Sequence, residues 1–280
     1  LVRLGEGHGA LGNYALSRQE ITAGLALARE AGDRKTAARG TSSLAWLAYW
    51  QGAFGEMQAL ASEALALARA AGNREEEATA LMRLGNAAHL HQHDPALSRR
   101  YLEESLALHR QIGDMRQVAA CLNDLGEIPR SQGDYSAAAR YYEEALAADR
   151  QLGNRSGMSV DLFNLGEVAA AQNDCAAATR YHQEGLAIAK EIGFRSTITV
   201  CLGGLGHDAA ATGDVGSARR YFQQALSEAV AIGSLSAELY ALVGFARLKA
   251  LAGEHVRAAE WLGLALAHPS SETDVQQRAQ

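Results

Sequence analysis

The chain has 280 residues and a formal charge of −6, with 48% apolar and only 6% aromatic residues. That mild acidity argues against the basic surface a nucleic acid requires, and no apolar run approaches the ~20 residues of a membrane helix. Alanine and leucine dominate and only Pro95, Pro129 and Pro269 are prolines, so composition predicts helix and excludes a β-sandwich. Cys121, Cys175 and Cys201 are odd in number, widely spaced and without a CxxC pair. They imply neither a disulfide framework nor a zinc site and point to a reducing, cytoplasmic setting. No signal peptide is visible, and the missing Met suggests a piece of a longer protein.

In chain order, Leu1 to Leu11 reads as the end of a first helix. Helix pairs are then expected at 34–51 with 54–71, 74–92 with 95–112, 114–132 with 135–152, 154–172 with 175–192, 195–212 with 215–232, and 235–252 with 255–267. Residues 269–280 read as a tail or the start of a further helix. The pairing rests on columns in register. Gly32, Gly72, Gly113, Gly153, Gly193 and Gly233 end the second helices at steps of 40, 41, 40, 40 and 40 residues. Leu25, Leu65, Leu106, Leu146, Leu186, Leu226 and Leu266 form an apolar column beside a small one, Gly24, Ala64, Ser105, Ala145, Gly185, Ala225 and Ala265. No helix can bury its stripe alone, so each pair requires neighbours.

Cys121 to Gly153 shows one unit in full. Leu122, Leu125 and Ile128 set one apolar face. Gly133-Asp134 breaks the pattern, with Asp134 suited to cap the next helix, and Gly153 ends it. Inside the first helices, Gly85, Gly126, Gly166 and Gly206 recur, each costing about 1 kcal/mol against alanine. Such a column predicts a close approach by a neighbouring helix, which HEAT-type repeats would not predict.

Leu125-Gly126, Gly133-Asp134-Tyr135 and Tyr142-Glu143-Glu144-Ala145-Leu146 resemble the tetratricopeptide repeat, TPR. So do Asn164-Leu165-Gly166-Glu167, Asn173-Asp174, Tyr181 and Ala187. The resemblance covers residues 1–268, about seven helix pairs with the first truncated. It departs in length, since the common TPR has 34 residues, and in replacing the usual terminal proline by Gly-Asp or Gly-Asn. This longer variety is similar to arrays in bacterial LuxR-type and maltose-activator-type regulators and STAND-class ATPases. The resemblance implies an all-α, right-handed superhelical solenoid of antiparallel pairs, with first helices on the concave face.

It also implies partner-binding residues beside the glycine column: Trp46, Tyr49 and Trp50; Arg83, Asn86 and His89; Asn123, Asp124, Glu127 and Arg130; Phe163, Asn164 and Glu167; His207; and Arg247. This set lacks the cation-rich pattern that would clamp a C-terminal carboxylate. Trp46 and Trp50 lie one turn apart and could either anchor an apolar partner or pack on the first repeat.

His89, His91 and His93 invite a metal reading, but no third ligand or supporting shell is evident. Gly7 to Gly12 matches GxGxxG, yet no strand precedes it and the register makes it helical, which excludes a dinucleotide site. Arg100, Arg140, Arg180 and Arg220 each stand four residues before Glu104, Glu144, Glu184 or Gln224, spacing that predicts surface pairs along one helix. Pro129 should remove the bond to the Leu125 carbonyl.

No catalytic triad, P-loop or metal motif appears, so no enzyme, cofactor or metal is expected. The expected function is a protein- or peptide-binding scaffold, by resemblance the sensor or interaction arm of a larger bacterial regulator. The alternatives are a small-molecule-sensing TPR domain and a module that self-associates through its open ends. Neither nucleic acid nor membrane is expected as a partner of this segment.

Overall fold

The computed structural model describes residues 1–10, 13–51 and 53–267, without the side chains of Ala10, Trp50 and Ser236. Among them are fourteen helices and no strand. In unit 1 these are α1 (Val2–Ala10), α2 (Tyr14–Glu30), α3 (Arg34–Trp50), α4 (Phe54–Ala70), α5 (Arg74–Leu90), α6 (Pro95–Ile112) and most of α7 (Met115–Ser131). Unit 2 holds α8 (Tyr135–Leu152), α9 (Arg155–Ala171), α10 (Cys175–Ile192), α11 (Arg195–Ala211), α12 (Val215–Ile232), α13 (Leu235–Leu251) and α14 (His255–Ala267). Each expected pair forms within a residue or two of its expected limits. The expected tail, 269–280, lies outside the described residues. Among those described, no helix is long and apolar enough to cross a membrane.

Two compact units emerge, Leu1–Ile128 and a second beginning at Pro129. Helix α7 runs on through Pro129, the residue at which they divide. Within unit 1, α1 packs on α2, α2 on α3, α3 on α4, α4 on α5 and α5 on α6. Within unit 2, contacts run likewise from α8 to α14. The odd helices also touch one another, α1 with α3 and α3 with α5, then α9 with α11 and α11 with α13. That side of each stack is pinched, which makes the odd helices its inner row.

Capping sets the rung length. Asp134, Asp174 and Asp214 each accept a hydrogen bond from the backbone N–H three residues on, satisfying a donor the helix leaves free. Second helices end on left-handed glycines such as Gly153, at φ 64°, and the next residue's N–H returns to the Asp149 carbonyl in the manner of a Schellman turn.

The mid-helix glycine column has a direct cause. A Cβ on Gly85 would stand 2.6 Å from Leu102, one on Gly166 2.4 Å from the His182 ring, and one on Gly206 2.5 Å from Phe222. In each rung one large side chain of the second helix lies flat on the first helix, and only glycine leaves room. The close approach expected from sequence is thus made by a side chain reaching onto backbone.

At Glu104 and Glu184 the surface arginine column departs from the expected pairing along one helix. Glu104 pairs with Arg69 of the preceding second helix at 3.1 Å, and Glu184 with Arg150 at 3.5 Å. Arg29 of α2 meets Glu63 of α4 in the same way. The pairs run between rungs because a neighbouring second helix presents its arginine to the same carboxylate. Arg100 and Arg180 instead lie over the rings of Tyr101 and Tyr181, 5.2 and 5.1 Å from their centroids. Exposed pairs of this kind each contribute at most about 1 kcal/mol.

Candidate functional site: the inner rows

In unit 1 the inner row carries polar groups that are only half-buried. Tyr49 comes from α3, Arg83, Asn86 and His89 from α5, and Asn123, Asp124 and Glu127 from α7. Asn86 Nδ2 donates to Asp124 Oδ2 at 3.0 Å. Burial raises the Asp124 carboxyl to about 6, against the pull of Asn86 and Arg83 and with a small push from Glu127. Burial lowers the Arg83 guanidinium from its ordinary value, with Asp124 the main opposing influence. It remains a cation at any physiological pH. The structure therefore brings Arg83, Asn86 and Asp124 together, with Tyr49 near enough to act on the Arg83 charge.

Below this row Ser105 donates to the Ala78 carbonyl at 2.8 Å and lies 3.3 Å from the Cys121 sulfur. Burial pushes the Cys121 thiol up to about 12, which makes it an inert packing group. All three cysteines are free.

Trp46 is half-buried and packs on the core of the first rungs with Leu44 and Leu47. A Cβ on Gly9 of α1 would stand 3.0 Å from its ring, so packing on the first repeat occupies much of its surface. The Trp50 side chain lies outside the described residues, as do Leu11 and Gly12 of the GxGxxG match. The part of that match that is described, Gly7 and Gly9, is helical. Sequence reasoning passed over a second inner pairing here. Arg39 of α3 donates through Nε and a terminal nitrogen to the two carboxylate oxygens of Glu6, both at 3.0 Å, and Ser43 donates to Glu6 at 2.6 Å.

The inner row of unit 2 is closed. Residues 201–208 of α11 are all buried. Phe163, Glu167 and His207 are 9%, 8% and 1% exposed. These three are corrected from wall residues to core residues, because α9, α11 and α13 press together over them. Arg130 is likewise buried, at 7%, whereas Asn164 and Arg247 stay half-buried. His207 sits edge-on between Phe222 and Tyr240, 4.9 Å from each ring centroid.

A charged cluster unannounced by any motif fills this closed core. His182 of α10 is 0% exposed. Its Nδ1 lies 2.7 Å from Asp208 Oδ2 of α11, and its Nε2 lies 3.4 Å from Glu167 Oε1 of α9. Tyr240 of α13 donates its hydroxyl to Glu167 Oε1 at 3.2 Å, reaching across α11 through the space beside Gly203. One signal could have found it. The column Leu102, Tyr142, His182, Phe222 is otherwise apolar or aromatic, and histidine is its odd member.

A family model described as a MalT-like TPR region matches residues 42–280. No curated protein matches the chain. Among solved structures, a Rap protein complexed with Competence and Sporulation Factor superposes with a TM-score of 0.72 at 16% identity, covering 87% of this chain and 66% of that one. The Rap conjugation gene regulator of the plasmid pLS20, in complex with the Phr* peptide, gives 0.68 at 12%, covering 89% and 77%. A STAND signal-transduction ATPase with a tetratricopeptide repeat sensor, from Pyrococcus horikoshii, gives 0.62 at 15%, covering 95% of this chain but 40% of that one. At these identities the likeness is one of fold.

Proposed function

Because the chain belongs to the family of MalT-like TPR regions, we propose that its unit 1 inner row docks a peptide or protein segment and performs no chemistry itself. The observation that carries this reading is the convergence of Tyr49, Arg83, Asn86 and Asp124. Three different helices bring to one half-exposed strip a ring, a cation, an amide and a carboxyl. Those are the groups that grip an extended backbone and a few side chains. A rigid helical scaffold holds them at fixed spacing, so little ordering cost falls on the receptor. The similar structure described as bound to the Phr* peptide supports a peptide ligand, and the one described as a TPR sensor supports a role as the sensing arm of a larger regulator. Free cysteines suit a reducing cytoplasm.

Selection of a random peptide library on the purified chain tests this. Binders should emerge, and Tyr49→Ala combined with Arg83→Ala should weaken them at least ten-fold, roughly 1.4 kcal/mol, with an unchanged helical spectrum. Unchanged affinity would move the site off this row. Failure to enrich any peptide would remove the peptide reading itself.

A further inference from the structure

We propose that Glu167, His182 and Asp208 form a proton-operated latch, which locks α10 against α9 and α11 when the imidazole is doubly protonated and loosens when it loses a proton. The proposal is independent of what the unit 1 row binds. Packing alone does not ask for histidine at this position. Phe222 occupies the next rung's equivalent place, lying on Gly206 and Gly244, just as His182 lies on Gly166 and Gly204. Histidine differs by placing each ring nitrogen against a carboxylate, at 2.7 Å and 3.4 Å.

A neutral imidazole carries one N–H, and its other nitrogen presents a lone pair. Whichever tautomer forms, one of the two carboxylates then faces a ring lone pair in a site closed to water, a repulsive contact. The imidazolium donates to Asp208 and turns its second N–H toward Glu167, an ion pair at 3.4 Å. Its positive charge lies between two acids whose side chains are 7% and 4% exposed.

The surrounding groups leave that logic intact. From α9 the facing ionisable group is Glu167, and from α11 it is Asp208. Tyr240 of α13 donates to Glu167 without supplying charge. The Cys201 thiol of α11 is pushed up to about 12, chiefly by burial, and stays protonated. His207, beside Asp208, lies edge-on between the rings of Phe222 and Tyr240.

Burial disfavours the charged ring, but hydrogen bonds to Asp208 and Glu167 prevail and raise the His182 pKa. A group whose folded pKa exceeds its unfolded value of about 6.5 stabilises fully below that value and loses its contribution as pH rises through the folded pKa. The latch is therefore closed at mildly acidic pH and opens on the alkaline side.

The test is amide hydrogen exchange of the full chain at pH 6 and pH 8.5, corrected for intrinsic rates, with the nitrogen-15 shifts of the His182 ring. Protection of α9, α10 and α11 should fall about ten-fold for each pH unit lying between the unfolded and folded pKa values. The ring should read as doubly protonated at pH 6. Glu167→Gln should flatten the slope, because the amide can donate to Nε2 while Nδ1–H serves Asp208. A neutral ring at pH 6, constant wild-type protection, or an undiminished slope in Glu167→Gln would each overturn the latch. Should Glu167→Gln fail to fold, the wild-type ring shifts and slope decide alone.

Discussion

His93 holds φ at 52°, in the turn slot that Gly133, Gly213 and Gly253 fill on other rungs at 80°, 81° and 79°. The slot is left-handed because the chain must reverse between the two helices of a rung within two or three residues. A side chain there costs roughly 1–2 kcal/mol, and glycine's extra freedom in the unfolded chain gives back about 0.4–1 kcal/mol of that. His93→Gly is therefore expected to raise stability by about 0.5–1 kcal/mol, read as a higher urea midpoint at constant slope. A lower midpoint would mean that the imidazole makes a contact worth more than the strain. The extra residue of the 41-residue step falls in this turn, between the end of α5 at Leu90 and the Asp94 cap. Among the described residues no group of His, Cys, Asp or Glu could hold a metal ion. His93 serves the turn through its backbone.

At the scale of the helix, the caps decide where each rung starts. Asp33, Asn73 and Asp114 accept a hydrogen bond from the third residue on at their first-helix caps, but Phe194 holds the equivalent place in front of α11 with no side-chain bond. Asp214→Ala is expected to cost about 1 kcal/mol. Phe194→Asp should recover a similar amount if its ring contributes little packing. Thermal melts of the two variants should move in opposite directions, and a fall in both would show that the Phe194 ring outweighs a cap. These caps were legible because an Asp or Asn beside glycine at a fixed step has one local cause. The glycine column was legible for the same reason. The inner rows were legible only in part. Sequence register placed Tyr49, Arg83, Asn86 and Asp124 on one face, where Asn86 and Asp124 are hydrogen-bonded. It could not show that α9, α11 and α13 close over Phe163, Glu167 and His207, because closure depends on Tyr240 slipping past Gly203, a contact between rungs with no local pattern. Nor could it foresee Arg69 reaching Glu104, since spacing along one helix is blind to the helix alongside.

Across the whole molecule, repetition makes stability additive, each rung gaining from itself and from its neighbours. Identical rungs would then differ only by position, with outer helices weakest. The burial pattern makes that rule specific for this chain. Helix α1 has only 9 residues and leaves Leu1 and Leu4 58% and 53% exposed. Helix α14 leaves Val256 and Leu264 74% and 64% exposed. By contrast α11 is buried without a break over residues 201–208 and is flanked by α9, α10, α12 and α13. Local opening of α11 must therefore disrupt four neighbours at once, while opening α1 or α14 disrupts few. Native-state hydrogen exchange at pH 6 should place α11 among the slowest amides, near the global unfolding limit, and α1 and α14 among the fastest, separated by several kcal/mol of opening free energy. The half-exposed inner helices α3 and α5 should fall between, as befits a surface that must admit a partner. Exchange from α11 as fast as from α1 would mean that its buried stretch opens independently of its neighbours, and that burial here does not report cooperative packing.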